Sequence, residues 1–212
     1  MSTNSVHPKT SWVGLDVHKD SITSAVLRPG RDVADVDRWF HDQPSVRRFV
    51  AGLGDRALVR ACYEAGPTGY DLARLLSSLG VRCEVIAPSL IPTVPGARVK
   101  TDTRDARRLA QLHRAGELVA VRIPAIAEEG IRDLCRTRAD LMGDRTRARH
   151  RLGKFLLRHG QARCGGAGTT WTHRHEAWLG QVRFGDAAMG TTYCHYRAVL
   201  ATVDANFEAV QC

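Results

Sequence analysis

Four acidic residues of this 212-residue chain stand where carboxylates can act together. Asp16 closes a short apolar run in Val13-Gly-Leu-Asp-Val-His-Lys-Asp20, and Glu64 closes another in Tyr63-Glu-Ala-Gly-Pro-Thr-Gly-Tyr70. Asp102 and Asp105 lie three residues apart in Lys100-Thr-Asp-Thr-Arg-Asp-Ala106, a spacing that puts both on one face of a helix. Carboxylates gathered in one place repel one another unless cations neutralise them. Two divalent ions about 3.5–4 Å apart do so, and they clamp the attacking and leaving oxygens of a phosphodiester displacement. Hard oxygen ligands favour Mg²⁺ or Mn²⁺ over zinc. Each residue also has an ordinary structural reading. Asp102 and Asp105 can form a helix cap and its capping-box partner, Asp16 can open a turn, and Glu64 can belong to the chemistry of its loop.

The elements that must position these residues are legible in the hydrophobic pattern. Trp12–Val17, Ile22–Leu27 and Val33–Phe40 read as three strands of a meander, broken by polar turns. Pro44–Leu53 follows as a helix with Pro44 near its first turn. Ala57–Tyr63 is a fourth strand, Gly69–Leu79 a helix stopped by Gly80, and Val81–Ile86 a fifth strand. Asp102–Arg114 is a third helix, stopped by Gly116. This order predicts an α/β domain with a mixed five-stranded sheet flanked by helices. In such a sheet strands one and four are neighbours, so the ends carrying Asp16 and Glu64 meet.

Charge is placed unevenly. The formal net charge is +9, and residues 97–163 alone hold 17 basic and 8 acidic side chains. The flanking segments are close to neutral, which points to a phosphate-binding surface. Lys100, Arg104, Arg107 and Arg108 surround the acidic pair, where they can hold strand phosphates. Arg145, Arg147, Arg149, Arg151, Lys154 and Arg158 crowd a later stretch, where they can track a duplex backbone. That stretch, Ala125–His159, has no proline and carries Ile131, Leu134, Leu141, Ala148, Leu152 and Phe155 at a spacing of about 3.5. It reads as one long helix, or a pair broken near Gly143, whose apolar stripe serves internal packing or a homo-oligomer. Cys164-Gly-Gly-Ala-Gly is a break, and Trp171–Cys212 carries one or two more helices.

The segments are therefore a disordered N-terminus over 1–10, the α/β domain over 11–123, a long basic helix or coiled-coil linker over 124–160, and a helical lead-in over 161–212. Six cysteines stand singly and read as buried thiols rather than a disulfide frame. The set Cys164, His173, His175 and Cys194 fits no familiar zinc spacing. No run approaches 18 uncharged apolar residues and no signal core opens the chain, so a cytoplasmic protein with no membrane partner is expected.

Gly-Leu-Asp-Val-His-Lys, Glu-Ala-x-x-Thr-Gly-x-Tyr and Lys-Thr-Asp-x-x-Asp-Ala together resemble the DEDD-type transposases of bacterial insertion sequences, relatives of the Piv DNA invertases. The resemblance runs continuously from about Ser11 to about Arg122 and extends into the long helix. It implies a ribonuclease-H/RuvC-like fold, with Asp16, Glu64, Asp102 and Asp105 as catalytic carboxylates that bind two Mg²⁺ or Mn²⁺ ions. It further implies DNA as partner, a structured guide RNA, and work at the bacterial nucleoid in site-specific recombination of element ends. Members of the family continue into a C-terminal domain with a catalytic serine, whereas the last serine here is Ser89. The chain is thus expected to be a truncated copy or an N-terminal portion, unable to complete recombination alone. The alternative is a nucleic-acid-binding remnant without catalysis. A sugar-kinase-like phosphotransferase is disfavoured, because the loop after Asp16 lacks the glycines that wrap a nucleotide phosphate, and no nucleotide cofactor is expected.

Overall fold

A computed structural model describes residues 9–92, 101–161 and 171–211. The chain divides into two compact units, 1–123 and 124–212.

The first unit is built on strands β1 (Ser11–Val17), β2 (Ser21–Leu27), β3 (Asp35–Phe40), β4 (Val59–Glu64), β5 (Arg82–Ile86) and β6 (Ala120–Val121). They form one sheet in the order β3-β2-β1-β4-β5-β6. β1 pairs antiparallel with β2 and parallel with β4, so the sheet is mixed. The expected five strands become six, because β6 pairs antiparallel with the end of β5. A two-residue strand is too short to show any periodicity, which is why the pattern misses it. The α/β architecture with flanking helices, consistent with a ribonuclease-H/RuvC-like fold, is as expected.

Alternation along the strands sorts the core onto two faces. Val13 and Leu15 of β1, Ile22 and Val26 of β2 and Tyr63 of β4 pack on one side. There they meet Val46 and Val50 of α1 (Gln43–Ala51) and Leu72 and Leu76 of α2 (Asp71–Ser78). The other face carries Ala25 and Leu27 of β2 and Cys62 of β4, covered by α3 (Asp102–Ala115) through Ala106, Leu109 and Ala110. Strands buried on both faces explain the near-continuous apolar runs in the sequence.

α3 lies unusually close to β1. A Cβ on Gly14 would stand 2.2 Å from the Ala106 carbonyl oxygen and 2.5 Å from the Ala110 amide nitrogen. Farther along, Trp12 meets His113 edge to face at 4.8 Å between ring centres. The small residues Gly14, Ala106 and Ala110 let two backbones touch where ordinary side chains would hold them apart.

The second unit holds α4 (Ile126–Arg158), α5 (His173–Gln181) and α6 (Ala187–Ala209). α4 is continuous through Gly143, so of the two readings of this stretch the single helix is the one formed. One internal glycine costs only about 1 kcal/mol relative to alanine. Its second half buries Ala148, Leu152, Phe155 and Leu156 against Leu179, Tyr193 and Leu200. Tyr193 Oη donates to the Leu179 carbonyl oxygen, tying α6 to α5. In the first half Ile131 and Leu134 stay exposed, at 63% and 48%. Among the described residues no helix is long and apolar enough to cross a membrane.

Replacing Gly14 by alanine forces α3 off the sheet. We expect a loss of at least about 3 kcal/mol, the upper end of overpacking penalties. In contrast, Gly153→Ala meets nothing within 4 Å and should stabilise α4 by up to about 1 kcal/mol. Paired thermal melts of the two variants check both signs.

Candidate metal centre

Asp16 sits near the end of β1, two residues beyond Gly14 and therefore on the face that α3 covers. α3 begins directly over this strand end. Its cap is Thr101, in extended conformation, whose Oγ1 accepts from the Arg104 N–H at 3.4 Å. The capping role read as an option for Asp102 is thus taken by the preceding threonine. Asp102 becomes the first helical residue and Asp105 falls one turn on, leaving both carboxylates available at the positive end of the helix.

His18 completes the arrangement. The residue follows the end of β1 in a turn held by its own N–H, which donates to the Ser21 carbonyl oxygen at 2.9 Å. Its Nε2 stands 3.2 Å from Asp16 Oδ2 and 3.5 Å from Asp102 Oδ1. One ligand atom from each of Asp16, His18 and Asp102 falls within a 4.8 Å group. Arg38 of β3 adds a cation, with Nη1 3.7 Å from Asp102 Oδ2.

The electrostatics follow from this crowding. Partial burial, foremost, raises the carboxyl of Asp16 above the ordinary aspartate range, and the charges of Asp102 and Asp105 push the same way. His18 opposes them. Two carboxylates and an imidazole converging on one point are a donor set that suits a hard or borderline divalent ion.

Glu64 stands differently. The β1–β4 pairing ends with Leu15 opposite Tyr63, and Asp16 and Glu64 are the next residue on each strand. The two carboxylates therefore share one end of adjacent strands, yet Glu64 is exposed and lies outside the three-residue group. Asp105 reaches Asp16 electrostatically and is likewise outside that group.

The basic residues divide by environment. Lys100 lies outside the described residues. Arg104 and Arg107 are exposed on α3, and Arg108 is half-buried, with an Nη2 that has no hydrogen-bond partner among the described residues. On α4, Arg145 pairs with Asp204 of α6 and lies over the Phe207 ring. Arg149 stands 3.8 Å from the same Asp204 and covers Trp171. These two arginines hold the helical unit together. Arg147, Arg151, Lys154 and Arg158 are exposed and recur every three or four residues, which forms one stripe along α4. Arg147 also meets Asp144, an exposed pair that contributes little to stability.

His18 and Arg38 are the residues that sequence reasoning missed. The i, i+2 spacing of Asp16 and His18 was a signal for the first. Arg38 carried none, since only strand register brings it to the site.

The model of the IS110-type DEDD transposase family, described as transposase, matches residues 13–160. The chain belongs to this family. A Sinorhizobium fredii protein named as a transposase, y4qE, is 42% identical over 180 residues, covering 83% of this chain and 45% of the relative. The transposase for insertion sequence element IS1533 of Leptospira borgpetersenii is 34% identical over 202 residues, covering 94% of this chain and 58% of the relative. The chain thus spans about half the length of these curated relatives. The family match includes every element that carries the acidic group, and a divalent metal agrees with the donor set found here.

Asp16 is held against its own solvation and against like charge, so it disfavours the metal-free fold as pH rises above the ordinary aspartate range. Asp16→Asn should accordingly raise the metal-free Tm at neutral pH by about 2 °C. Manganese should stabilise the wild type by mass action, about 2.7 kcal/mol at a hundred times Kd. The same titration should leave Asp16→Asn unmoved, as read by thermal melting.

Proposed function

We propose that this chain is the DNA-binding and metal-bearing portion of an insertion-sequence transposase. Asp16, Glu64, Asp102 and Asp105 hold two Mg²⁺ or Mn²⁺ ions for phosphodiester cleavage or strand transfer. The observation that carries this reading is the convergence of Asp16, His18 and Asp102 at the end of β1. When bound, the ions would supply Lewis-acid stabilisation of the charge that develops on the reacting phosphate. The chain's own residues do the remaining work. Asp16 and Asp102 provide the inner carboxylates, Asp105 and Glu64 flank them, and His18 orients both inner groups. Arg104, Arg107 and Arg108 supply cations along α3 to hold the strand, with Lys100 beside them in the sequence.

The exposed stripe Arg147, Arg151, Lys154 and Arg158 suits a nucleic-acid backbone, DNA or a structured guide RNA, because its charges repeat along one straight face. The exposed Ile131 and Leu134 on the same helix support a homo-oligomer formed through α4. This reading places the protein in the bacterial cytoplasm at the nucleoid. A second reading, a binding remnant without catalysis, draws on the position of Glu64 outside the compact group.

Magnesium- or manganese-dependent nicking of branched DNA by the purified chain, abolished in Asp102→Ala, supports the catalytic reading. DNA binding without nicking in any metal selects the remnant. Binding should fall with salt by about 0.9 log units per log unit of salt for each phosphate neutralised on duplex DNA. Arg151→Glu with Lys154→Glu should flatten that slope by about two at unchanged Tm. Arg145→Gln should instead lower the Tm, because it removes the nearer of the two arginines that face Asp204 and one of the two cations over Phe207.

A further inference from the structure

Beside the carboxylates lies an open pocket of about 580 Å³. Thr23, Arg38, Thr101, Asp102 and Thr103 line it, so Asp102 borders both the pocket and the acidic group. Strand register builds its floor. Thr23 of β2 stands opposite Asp16 of β1, and Arg38 of β3 stands opposite Thr23. These three residues form a row across the sheet. The wall is the first turn of the 14-residue helix α3, whose leading N–H groups point toward its start.

Two features mark this pocket as a place for an anion. Thr23 is 2% exposed, and its Oγ1 has no hydrogen-bond partner among the described residues. An unmet buried hydroxyl disfavours the fold by about 1–3 kcal/mol until a partner arrives. Arg38 is anchored by Nη2, which donates to Ser21 Oγ at 3.0 Å, while its side chain remains 65% exposed. Its Nη1 contact with Asp102 is loose at 3.7 Å, so this nitrogen can exchange the carboxylate for a phosphate oxygen while Nη2 stays on Ser21. Asp37, the other acidic residue bordering the pocket, neighbours Arg38 along β3, so its side chain alternates to the opposite face.

We propose that Arg38, Thr23, Thr101 and Thr103 form a seat for a backbone phosphate of the bound nucleic acid, adjoining the carboxylates on the side of Asp102. The proposal rests on the reading that the chain binds nucleic acid. In the free protein Arg38 shares the charge of Asp102. With nucleic acid bound it turns to the phosphate, while Thr23 and the helix start donate to the phosphate oxygens. The seat carries no sequence information and sets only where the strand lies relative to Asp102. Arg38 is thus a positioning residue.

The test is binding of a fluorescein-labelled DNA duplex to the full chain, titrated with salt, with Ca²⁺ in place of Mn²⁺. Arg38→Gln should weaken binding about tenfold and lower the log–log salt slope by about one, for any duplex sequence. Arg38→Lys should keep the slope and lose only part of the affinity, since a point charge replaces a fork. Thr23→Val should raise the Tm and yet weaken binding several-fold. A purely structural threonine would not separate the two readouts in that way. If Arg38 only neutralises Asp102, Arg38→Gln shifts the manganese midpoint and leaves the DNA slope at its wild-type value, which overturns the seat. Unchanged binding by Thr23→Val overturns it as well. A wild-type chain that shows no salt-dependent binding removes the nucleic-acid reading together with the seat. Wild-type binding that Arg38→Gln does not alter removes the seat alone.

Discussion

The contact between two backbones at Gly14 organises the first unit. β1 and α3 approach so closely that a methyl group on Gly14 would overlap the Ala106 carbonyl. Ordinary helix-on-sheet packing inserts a layer of side chains between the two backbones. That spacing would move the start of α3 away from the end of β1. Here the layer is reduced to alanines, and the first turn of the helix comes down on the strand end. Asp16 and Asp102 are far apart in the chain and meet because of it. The partners of the approach, Trp12 with His113 at one end and Asp16 with Asp102 at the other, also show that the helix runs antiparallel to the strand.

Bringing carboxylates together works against the stability of the fold. The first unit meets this with nitrogen-bearing side chains, the His18 imidazole between Asp16 and Asp102 and the Arg38 guanidinium beside Asp102. Both contacts to Asp102 are long, at 3.5 and 3.7 Å, and both side chains are more than half exposed. Asp16 holds its proton more firmly than a free aspartate, first because it is partly buried and further because Asp102 and Asp105 lie near, and His18 offsets this only in part. A site left in this condition gains from any ligand that brings positive charge. The large core on the opposite face of β1, with Val13 and Leu15 wholly buried, supplies the stability against which that local strain is set.

Arginines in the second unit show how one residue type serves two ends on one helix. Arg145 and Arg149 turn inward to Asp204, Phe207 and Trp171, where planar guanidinium groups stack and pair. Arg147, Arg151, Lys154 and Arg158 stay in solvent. The helical period separates the sets, since residues two apart point to different sides. Asp204 decides the outcome for the inner pair, and it lies more than fifty residues farther along the chain. Counting charges in a stretch therefore overstates the binding surface.

Much of the first unit was written in its hydrophobic alternation. The meander, the neighbouring ends of β1 and β4, the helix over Asp102 and the mixed sheet follow from local periodicity and from rules of connection, which need no distant information. The acidic motifs could be picked out because their carboxylates interrupt or end apolar runs. The tertiary structure decided the rest. It took the capping role from Asp102 and gave it to Thr101, added β6 at the edge, and kept α4 whole through Gly143. It also chose which carboxylates converge, setting Asp16 and Asp102 around His18 while Glu64 stays exposed on its strand end. His18 and Arg38 entered the site through turn geometry and strand register. Both are properties of how strands pair, and a one-residue change of register would have sent Arg38 to the opposite face. Residue type and spacing along the chain determine which side chains can do chemistry; distances between chain segments, set by packing at places such as Gly14, determine which of them meet.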